Sequence, residues 1–439
     1  MRLRGLAPRG CVRGEFRASG SKSIAQRALV LASLARGETR IAGLPSGEDV
    51  RAALAVLRAV GVEVRELAPA AVAVRGAPPG PHRGWRAAAA LELHESGTLA
   101  RLALAVAGLC GRSEDRFELR AGGSLARRRS DALVRALEEA GVRFESPPWP
   151  ARIAPIGPPP SVHLRDPRSS QEASALAMAL CAWPDESELT IHGVLPSEPY
   201  FELTLCMLAQ FGARSERCEA GLRLRGPLRA PETPLLIEPD ASSAAVALAA
   251  ACLGGGEVCA RGLARNALQG DVRIAEHLRA FGCRALFTSA GIVAAGFPQH
   301  AARIELAGEP DLAPVLAAVA AGAALIDPSQ SSLLTGLGTL PSKESSRIET
   351  LARGLRAAGW NAQAGPDWLR IGAGEYRGGA IAPAEVELDP QADHRMVFAF
   401  ALLGLVRPGV LVRDPECVAK SWPMFWKDLA GLGARTVAR

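Results

Sequence analysis

The sequence predicts an α/β (α+β) fold built from one module used six times and divided into two domains of three modules each. Three observations predict it. Six apolar helical runs close on the same Leu-x-x-apolar-Gly pattern, at Leu57–Gly61, Leu137–Gly141, Leu208–Gly212, Leu278–Gly282, Leu355–Gly359 and Leu429–Gly433. A short strand-like segment before a turn recurs in the same order, at 37–43, 116–122, 188–193, 257–262, 331–336 and 409–413. Polar residues also collect just ahead of the first apolar helix of most modules.

The glycines read as helix C′ positions, where the left-handed conformation costs no Cβ clash. They recur about every 70–80 residues, longer than the units of a solenoid, so each repeat is a supersecondary module. Each module reads strand, helix, strand, helix, strand, with mixed pairing. The proline-rich stretches 78–81, 147–160 and 227–234 then fall within or between modules. The expected domains are 1–19 together with 239–439, and 20–238, with a chain crossing near Glu238-Pro239-Asp240. A cleft between two such domains is the expected place for a ligand.

Composition narrows the function. The 439 residues are 48% hydrophobic, 22% charged and only 5% aromatic, as expected of a globular protein with aliphatic, helix-rich cores. A net charge of +6 suits anionic small molecules. The one dense basic run, Arg127-Arg128-Arg129, has no interleaved aromatic residue on which a base could stack, which argues against nucleic acid. The nine cysteines show neither C-x-x-C nor paired zinc spacing, and the histidines are scattered, so no metal site is expected. The apolar run 312–326 contains Pro314 and is shorter than the ~18 residues of a membrane span. No membrane association and a cytoplasmic location are expected.

The helix starts carry the chemistry. Gly20-Ser21-Lys22-Ser23 followed by Arg27 places hydroxyls, an ammonium and a guanidinium at a helix N-terminus, where free N–H groups and the helix dipole favour anions. It is not a Walker loop, because Ser21 separates Gly20 from Lys22. Further clusters are Glu95-Ser96-Gly97-Thr98, Ser169-Ser170-Gln171, Asp240-Ala241-Ser242-Ser243, Asp311 and Asp393-His394-Arg395. N-capping accounts for part of this, Ser242 and Ser243 above all. Capping does not call for Lys22, Arg101 or Arg395. If the helices point the same ends inward, their N-termini form a ring of anion sites.

Taken together these residues resemble the EPSP synthase family, the 3-phosphoshikimate 1-carboxyvinyltransferases. The likeness begins with Gly20-Ser21-Lys22-Ser23-x-x-x-Arg27 and runs through Gly97-Thr98-x-x-Arg101, Arg128, Ser169-Ser170-Gln171 and Ser197-x-Pro199-Tyr200. It continues with Asp240-Ala241-Ser242-Ser243, Gln269-Gly270-Asp271, Pro310-Asp311 and Lys343-Glu344-x-x-Arg347. It closes with Asp393-His394-Arg395-Met396 and Ala419-Lys420-Ser421-x-Pro423, covering about residues 15–432 in collinear order. The resemblance implies a two-domain inside-out α/β barrel, each domain holding three βαβαββ units about a pseudo-threefold axis. It implies transfer of the enolpyruvyl group of phosphoenolpyruvate to the 5-hydroxyl of shikimate 3-phosphate, with release of phosphate. It also implies a reaction that uses neither metal nor organic cofactor, and a monomer is expected.

By the same resemblance, Lys22, Gly97, Arg128, Gln171, Arg347, Arg395 and Lys420 would hold phosphoenolpyruvate. Ser23, Arg27, Ser169, Ser170, Gln171, Ser197, Tyr200, Asp311 and Lys343 would hold the phosphorylated shikimate. Two carboxylates flanking the reacting atoms suffice for the proton traffic. Asp311 is the candidate base at the 5-hydroxyl, with Glu344 and Lys22 handling the proton at C3. His394 reads as orienting its neighbours.

Four positions depart from the family pattern. Glu95 stands where asparagine is usual, Arg129 where proline follows the arginine, Glu198 where lysine is usual and Ser346 where aspartate is common. They leave room for an acceptor other than shikimate 3-phosphate, and make Arg127 a rival for the role of Arg128. Two other readings stay open: a UDP-N-acetylglucosamine enolpyruvyl transferase and a non-catalytic polyanion-binding protein.

Overall fold

The computed structural model describes residues 2–8, 11–80, 84–87, 89–145, 149–219, 221–378 and 384–439. Pro81, Pro147 and Pro148 of the proline-rich stretches lie outside the described residues. The chain divides into two compact units, one formed by Met1–Ser19 with Glu238–Arg439 and the other by Gly20–Ile237.

Among the described residues, six four-stranded sheets share one topology. In each, a leading strand pairs in parallel with the second strand, and two further strands follow in antiparallel pairing. The module that starts at Leu91–Glu92 shows it complete. That strand pairs in parallel with Phe117–Arg120 across the helix Gly97–Cys110, and Ala151–Ala154 and Arg143–Phe144 then add antiparallel. Three sheets are completed by strands distant in sequence. Leu3–Ala7 lies between Val410–Arg413 and Arg435–Ala438, and Gly14–Phe16 pairs with Glu257–Arg261. Leu235–Leu236 supplies the leading strand beside Glu38–Ala42. These loans explain why one unit is discontinuous.

Within each unit the first helices of the three modules form the centre. In the discontinuous unit Ala241–Leu253, Ala313–Ile326 and His394–Val406 pack on one another; in the other, Gly97–Cys110 packs against both Lys22–Leu34 and Ser170–Leu180. These helices are apolar nearly all round, which is the signature of a helix buried on every side. The sheets face inward on one side only. In Gly221–Arg225, Leu222 and Leu224 are buried while Arg223 and Arg225 are exposed, the period-two alternation of a half-buried strand. Helices lie inside and sheets outside, the inside-out α/β arrangement. Alanine and glycine serve the crowded centre. A Cβ on Gly354 would meet the Phe400 ring at 2.4 Å, and one on Gly404 would meet the Leu6 carbonyl oxygen at 2.3 Å.

All six repeat glycines have positive φ, from 79° at Gly212 to 106° at Gly141, as their place after a helix requires. The capping expectation needs one correction. Ser242 and Ser243 do not cap their helix; both lie in its first turn, and Asp240 is the N-cap, its carboxylate accepting from the Ser243 N–H at 3.3 Å. Aspartate wins because it stands one residue before the first helical φ/ψ. Ser21, at the N-cap of Lys22–Leu34, likewise makes no side-chain capping bond. Among the described residues no helix is long and apolar enough to cross a membrane, and no group of three or more metal-ligating side chains occurs.

Candidate active site

Five of the six central helices are buried along their length except near their start, and apart from Gly97 the residues left unburied there are polar; the sixth, Ala313–Ile326, is buried at its start and opens only at Leu325 and Ile326. In Lys22–Leu34 the exceptions are Lys22 and Ser23; in Gly97–Cys110 they are Gly97 and Arg101. In Ser170–Leu180, Ala241–Leu253 and His394–Val406 they are Gln171, Ser242 and Arg395 respectively. Each unit thus gathers the N-termini of its central helices, and with them their positive dipole ends, around one polar cluster.

In the discontinuous unit the cluster centres on Arg347, whose side chain is 2% exposed. Its Nε donates to Asp393 Oδ2 at 2.7 Å, its Nη1 to Asp311 Oδ1 at 2.8 Å and its Nη2 to Glu344 Oε2 at 2.7 Å. Burial alone would lower the Arg347 pKa, but Asp393, Glu344 and Asp311 outweigh it and push it far up. Arg395 Nη1 donates to the Asp311 carbonyl at 3.1 Å, and its Nη2 lies 3.0 Å from Asp311 Oδ2 and 3.3 Å from Ser242 Oγ. Ser242 in turn donates to the buried Asp271. Lys343 Nζ is 3.6 Å from Asp311, and Lys420 Nζ is 3.1 Å from Glu344 Oε1.

Asp311 is thereby ringed by cations. Burial would raise its carboxyl, yet Arg395, Lys343 and Arg347 hold it well below the usual carboxylate range. Burial lowers the Lys343 ammonium further than Asp311 raises it. Asp311 sits in the short turn Pro310–Leu312, where Glu309, and not Asp311, holds the N-cap position. Glu344 is 11% exposed and joins Arg347 to Lys420, so it is an internal link of the cluster.

The other unit surrounds its buried arginine differently. Arg27 is 1% exposed, and its guanidinium donates to Thr204 Oγ1 at 2.8 Å, the Ser23 carbonyl at 3.0 Å, the Tyr200 carbonyl at 3.4 Å and Ser174 Oγ at 3.5 Å. Among the described residues no carboxylate pairs with it, and burial lowers its pKa to about 10. Lys22 Nζ lies 2.9 Å from Asp49 Oδ2. Gln171 bridges two helix starts, its Nε2 donating to Thr98 Oγ1 at 2.9 Å and its Oε1 accepting from Arg101 Nη1 at 3.0 Å. Ser169 closes a capping box with Glu172, which fixes Ser170 and Gln171 in the first turn. Ser197, the N-cap of Glu198–Gln210, is left-handed with φ 54°, a conformation that L residues adopt at some cost.

Arg128 and Arg101 converge on Gly97, where a Cβ would stand 3.2 Å from Arg128 Nη1 and 3.1 Å from Arg101 Nη1. Arg127 is exposed, and Arg129 pairs with Asp131 at 2.9 Å. Glu95 turns toward the loop that carries Arg128. Its Oε1 accepts the Ser124 N–H at 3.2 Å, and its carbonyl accepts from Arg128 Nη2 at 3.2 Å. Only glycine fits at 123, where φ is +49° and a Cβ would fall 1.5 Å from Glu95 Oε1. Glu198 is more than half exposed beside Arg217, and Ser346 is the N-cap before Arg347 without a side-chain cap bond. His394 is buried with its ring edge-on to Phe398, 5.8 Å between centroids, at the rim of an aromatic cluster with Trp422 and Phe425.

Sequence reasoning passed over Asp49 and Thr204 as site residues, and named Asp393 only within a helix-start cluster, with no role of its own. Asp393 and Asp49 look like acidic helix starts, and their pairing with Arg347 and Lys22 is long-range. Thr204, like Ser174, is a polar residue inside an apolar helix, and that was the available signal.

The sequence profile of the family described as EPSP synthase (3-phosphoshikimate 1-carboxyvinyltransferase) matches residues 6–429. A 3-phosphoshikimate 1-carboxyvinyltransferase of Ralstonia nicotianae is 32% identical over 98% of this chain and 99% of its own, and one from Shewanella amazonensis is 31% identical over 97% and 98%. In fold, the EPSP synthase of Acinetobacter baumannii superposes with a TM-score of 0.78 at 23% identity, covering 100% of this chain and 99% of that one. An enolpyruvyl transferase of Streptomyces tendae superposes with a TM-score of 0.70 at 17% identity over 100% and 98%. The chain belongs to the EPSP synthase (3-phosphoshikimate 1-carboxyvinyltransferase) family.

Proposed function

We propose that this chain transfers the enolpyruvyl group of phosphoenolpyruvate to the 5-hydroxyl of shikimate 3-phosphate, yielding 5-enolpyruvylshikimate 3-phosphate and phosphate in aromatic amino-acid biosynthesis. The observation that carries it is that in five of the six central helices the unburied residues lie near the start and, apart from Gly97, are groups that bind anions: Lys22, Ser23, Arg101, Gln171, Ser242 and Arg395. Both substrates carry a phosphate and a carboxylate, and fixed guanidinium forks at helix N-termini suit both groups.

In this reading Lys22, Gly97, Arg128, Gln171, Arg347, Arg395 and Lys420 take phosphoenolpyruvate. Ser23, Arg27, Ser169, Ser170, Gln171, Ser197, Tyr200, Asp311 and Lys343 take the shikimate ester. Asp311 accepts the 5-hydroxyl proton as that oxygen bonds to C2 of phosphoenolpyruvate, while Glu344 or Lys22 delivers a proton to C3. The tetrahedral intermediate then loses its phosphate as the C2–O bond breaks, and C3 gives the proton back to re-form the double bond. Asp311 is a carboxylate at neutral pH because three cations hold it so. An incoming phosphate competes for those cations, and its charge raises the basicity of Asp311 when the proton must move. Arg347 then holds Asp311 and Glu344 in register as well as meeting the anion.

The enzyme is read as a cytoplasmic monomer acting on small molecules, and its nine free cysteines accord with a reducing compartment. The test is phosphate release from phosphoenolpyruvate with shikimate 3-phosphate or with UDP-N-acetylglucosamine as acceptor. Release with the shikimate ester alone supports the reading. Release with the sugar nucleotide, or with neither, sinks it.

A further inference from the structure

Glu309, the residue before Pro310-Asp311, has no solvent exposure. The contacts that reach its carboxylate converge on Oε1, from His277 Nε2 at 2.7 Å and Arg273 Nη1 at 2.8 Å. Oε2 is buried without a hydrogen-bond partner among the described residues. His277 is itself buried, on the helix Ile274–Ala280, and Arg273 precedes that helix and also pairs with Glu276 at 3.2 Å. The Glu309 carbonyl accepts the Leu312 N–H at 3.0 Å, closing the turn that presents Asp311.

A carboxylate taken wholly out of water costs several kcal/mol before its partners compensate, and here one oxygen is left uncompensated. The turn does not need it as a cap, since no side chain caps it. What the carboxylate supplies is an anchor. It ties the residue at the root of the Asp311 turn to a different module, while Arg395 grips the Asp311 carbonyl and carboxylate. Base and acceptor hydroxyl must meet within a few tenths of an ångström, so an anchor at this point governs the rate.

We propose that Glu309, clamped by His277 and Arg273, is a positioning residue that fixes the Asp311 turn and so sets kcat and not substrate affinity; the inference rests on the enolpyruvyl-transfer reading above. The test compares wild type with Glu309→Leu and Glu309→Gln in the phosphate-release assay, with thermal unfolding as the check on folding. In Glu309→Leu, kcat falls by about tenfold to a hundredfold, the scale of a ~1 Å misplacement, with both KM values unchanged. Glu309→Gln keeps an acceptor oxygen for the clamp and restores most of kcat. If Glu309→Leu does not fold, Arg273→Met takes its place, because that side chain is 48% exposed and its removal leaves the core intact. Its kcat then falls in the same direction, again at constant KM. Wild-type kcat in the folded variant, or a raised KM at unchanged kcat, overturns the positioning role and leaves the function standing. A wild-type protein that releases no phosphate from this substrate pair takes both down.

Discussion

The two units surround their most deeply buried arginines in opposite ways. Arg347 is surrounded by three carboxylates, Asp311, Glu344 and Asp393, and its charge is cancelled several times over. Arg27 is as deeply buried but, among the described residues, its guanidinium donates to hydroxyls and carbonyls alone. The first arrangement stores carboxylates at fixed distances, which is what proton transfer needs. The second keeps a net positive charge whose natural counterion is a substrate anion. In the proposed mechanism the first unit supplies the general base Asp311, and the second, Lys22 apart, supplies substrate capture.

The largest break in that contrast comes from Asp311→Ala. Removing the carboxylate from the chemical unit lowers turnover by about 10²–10⁴-fold, the worth of a positioned general base, while circular dichroism and unfolding stay native-like. Near-normal turnover removes Asp311 from the mechanism. Next comes Arg347→Met, which leaves three carboxylates without their shared cation. Breaking one side of a buried ion network costs about 3–5 kcal/mol, read as a lower urea midpoint at unchanged slope. A midpoint equal to wild type would show that Arg347 is there for the ligand alone.

This contrast was only partly legible in the sequence. The repeating modules were legible because glycine at C′ and alternation in strands are local demands, met at Gly61 and Gly359 alike. The clustering of polar groups at helix starts was legible for the same reason. Which carboxylate faces which cation was not. Asp49 meets Lys22 and Asp393 meets Arg347 across 27 and 46 positions, distances that only tertiary packing sets. Glu309 lay hidden between Gly308 and Pro310, where a charged residue reads as a solvent-facing turn, yet it is wholly buried. The Ser242 and Ser243 capping reading fell two and three residues too late, because Asp240 holds the N-cap position and accepts the Ser243 N–H.

Arg27→Met tests the capture side and runs opposite to Arg347→Met in stability. Losing a charge-assisted bond to an anion costs about 1.5–3 kcal/mol, so KM for shikimate 3-phosphate rises by roughly tenfold to a hundredfold with little change in kcat. Because no carboxylate is orphaned, and an apolar side chain in place of a buried charge is often neutral or stabilising, the unfolding midpoint stays at or above wild type. A midpoint lowered as far as that of Arg347→Met would mean that the hydroxyl shell around Arg27 is as much a structural network as the carboxylate shell around Arg347.

The smallest effect is a matter of pH and belongs to the chemical unit alone. Asp311 is held well below its ordinary value in the folded protein, whereas the unfolded chain returns it to about 3.9. The folded state therefore keeps its carboxylate where the unfolded chain has begun to take up a proton. The stabilisation from Asp311 is fully present above the unfolded value and fades as pH falls below it toward the folded one. Asp311→Asn imitates the protonated form, so its stability deficit against wild type is constant at neutral pH and narrows in acid, below about pH 4. Arg27→Met shows no such narrowing over that range, since a guanidinium does not titrate there. Urea unfolding of the three proteins at neutral pH and near pH 3 reads the difference. A deficit in Asp311→Asn that stays constant into acid would show that the cations around Asp311 do not hold its charge, and the division between the two units would lose its electrostatic basis.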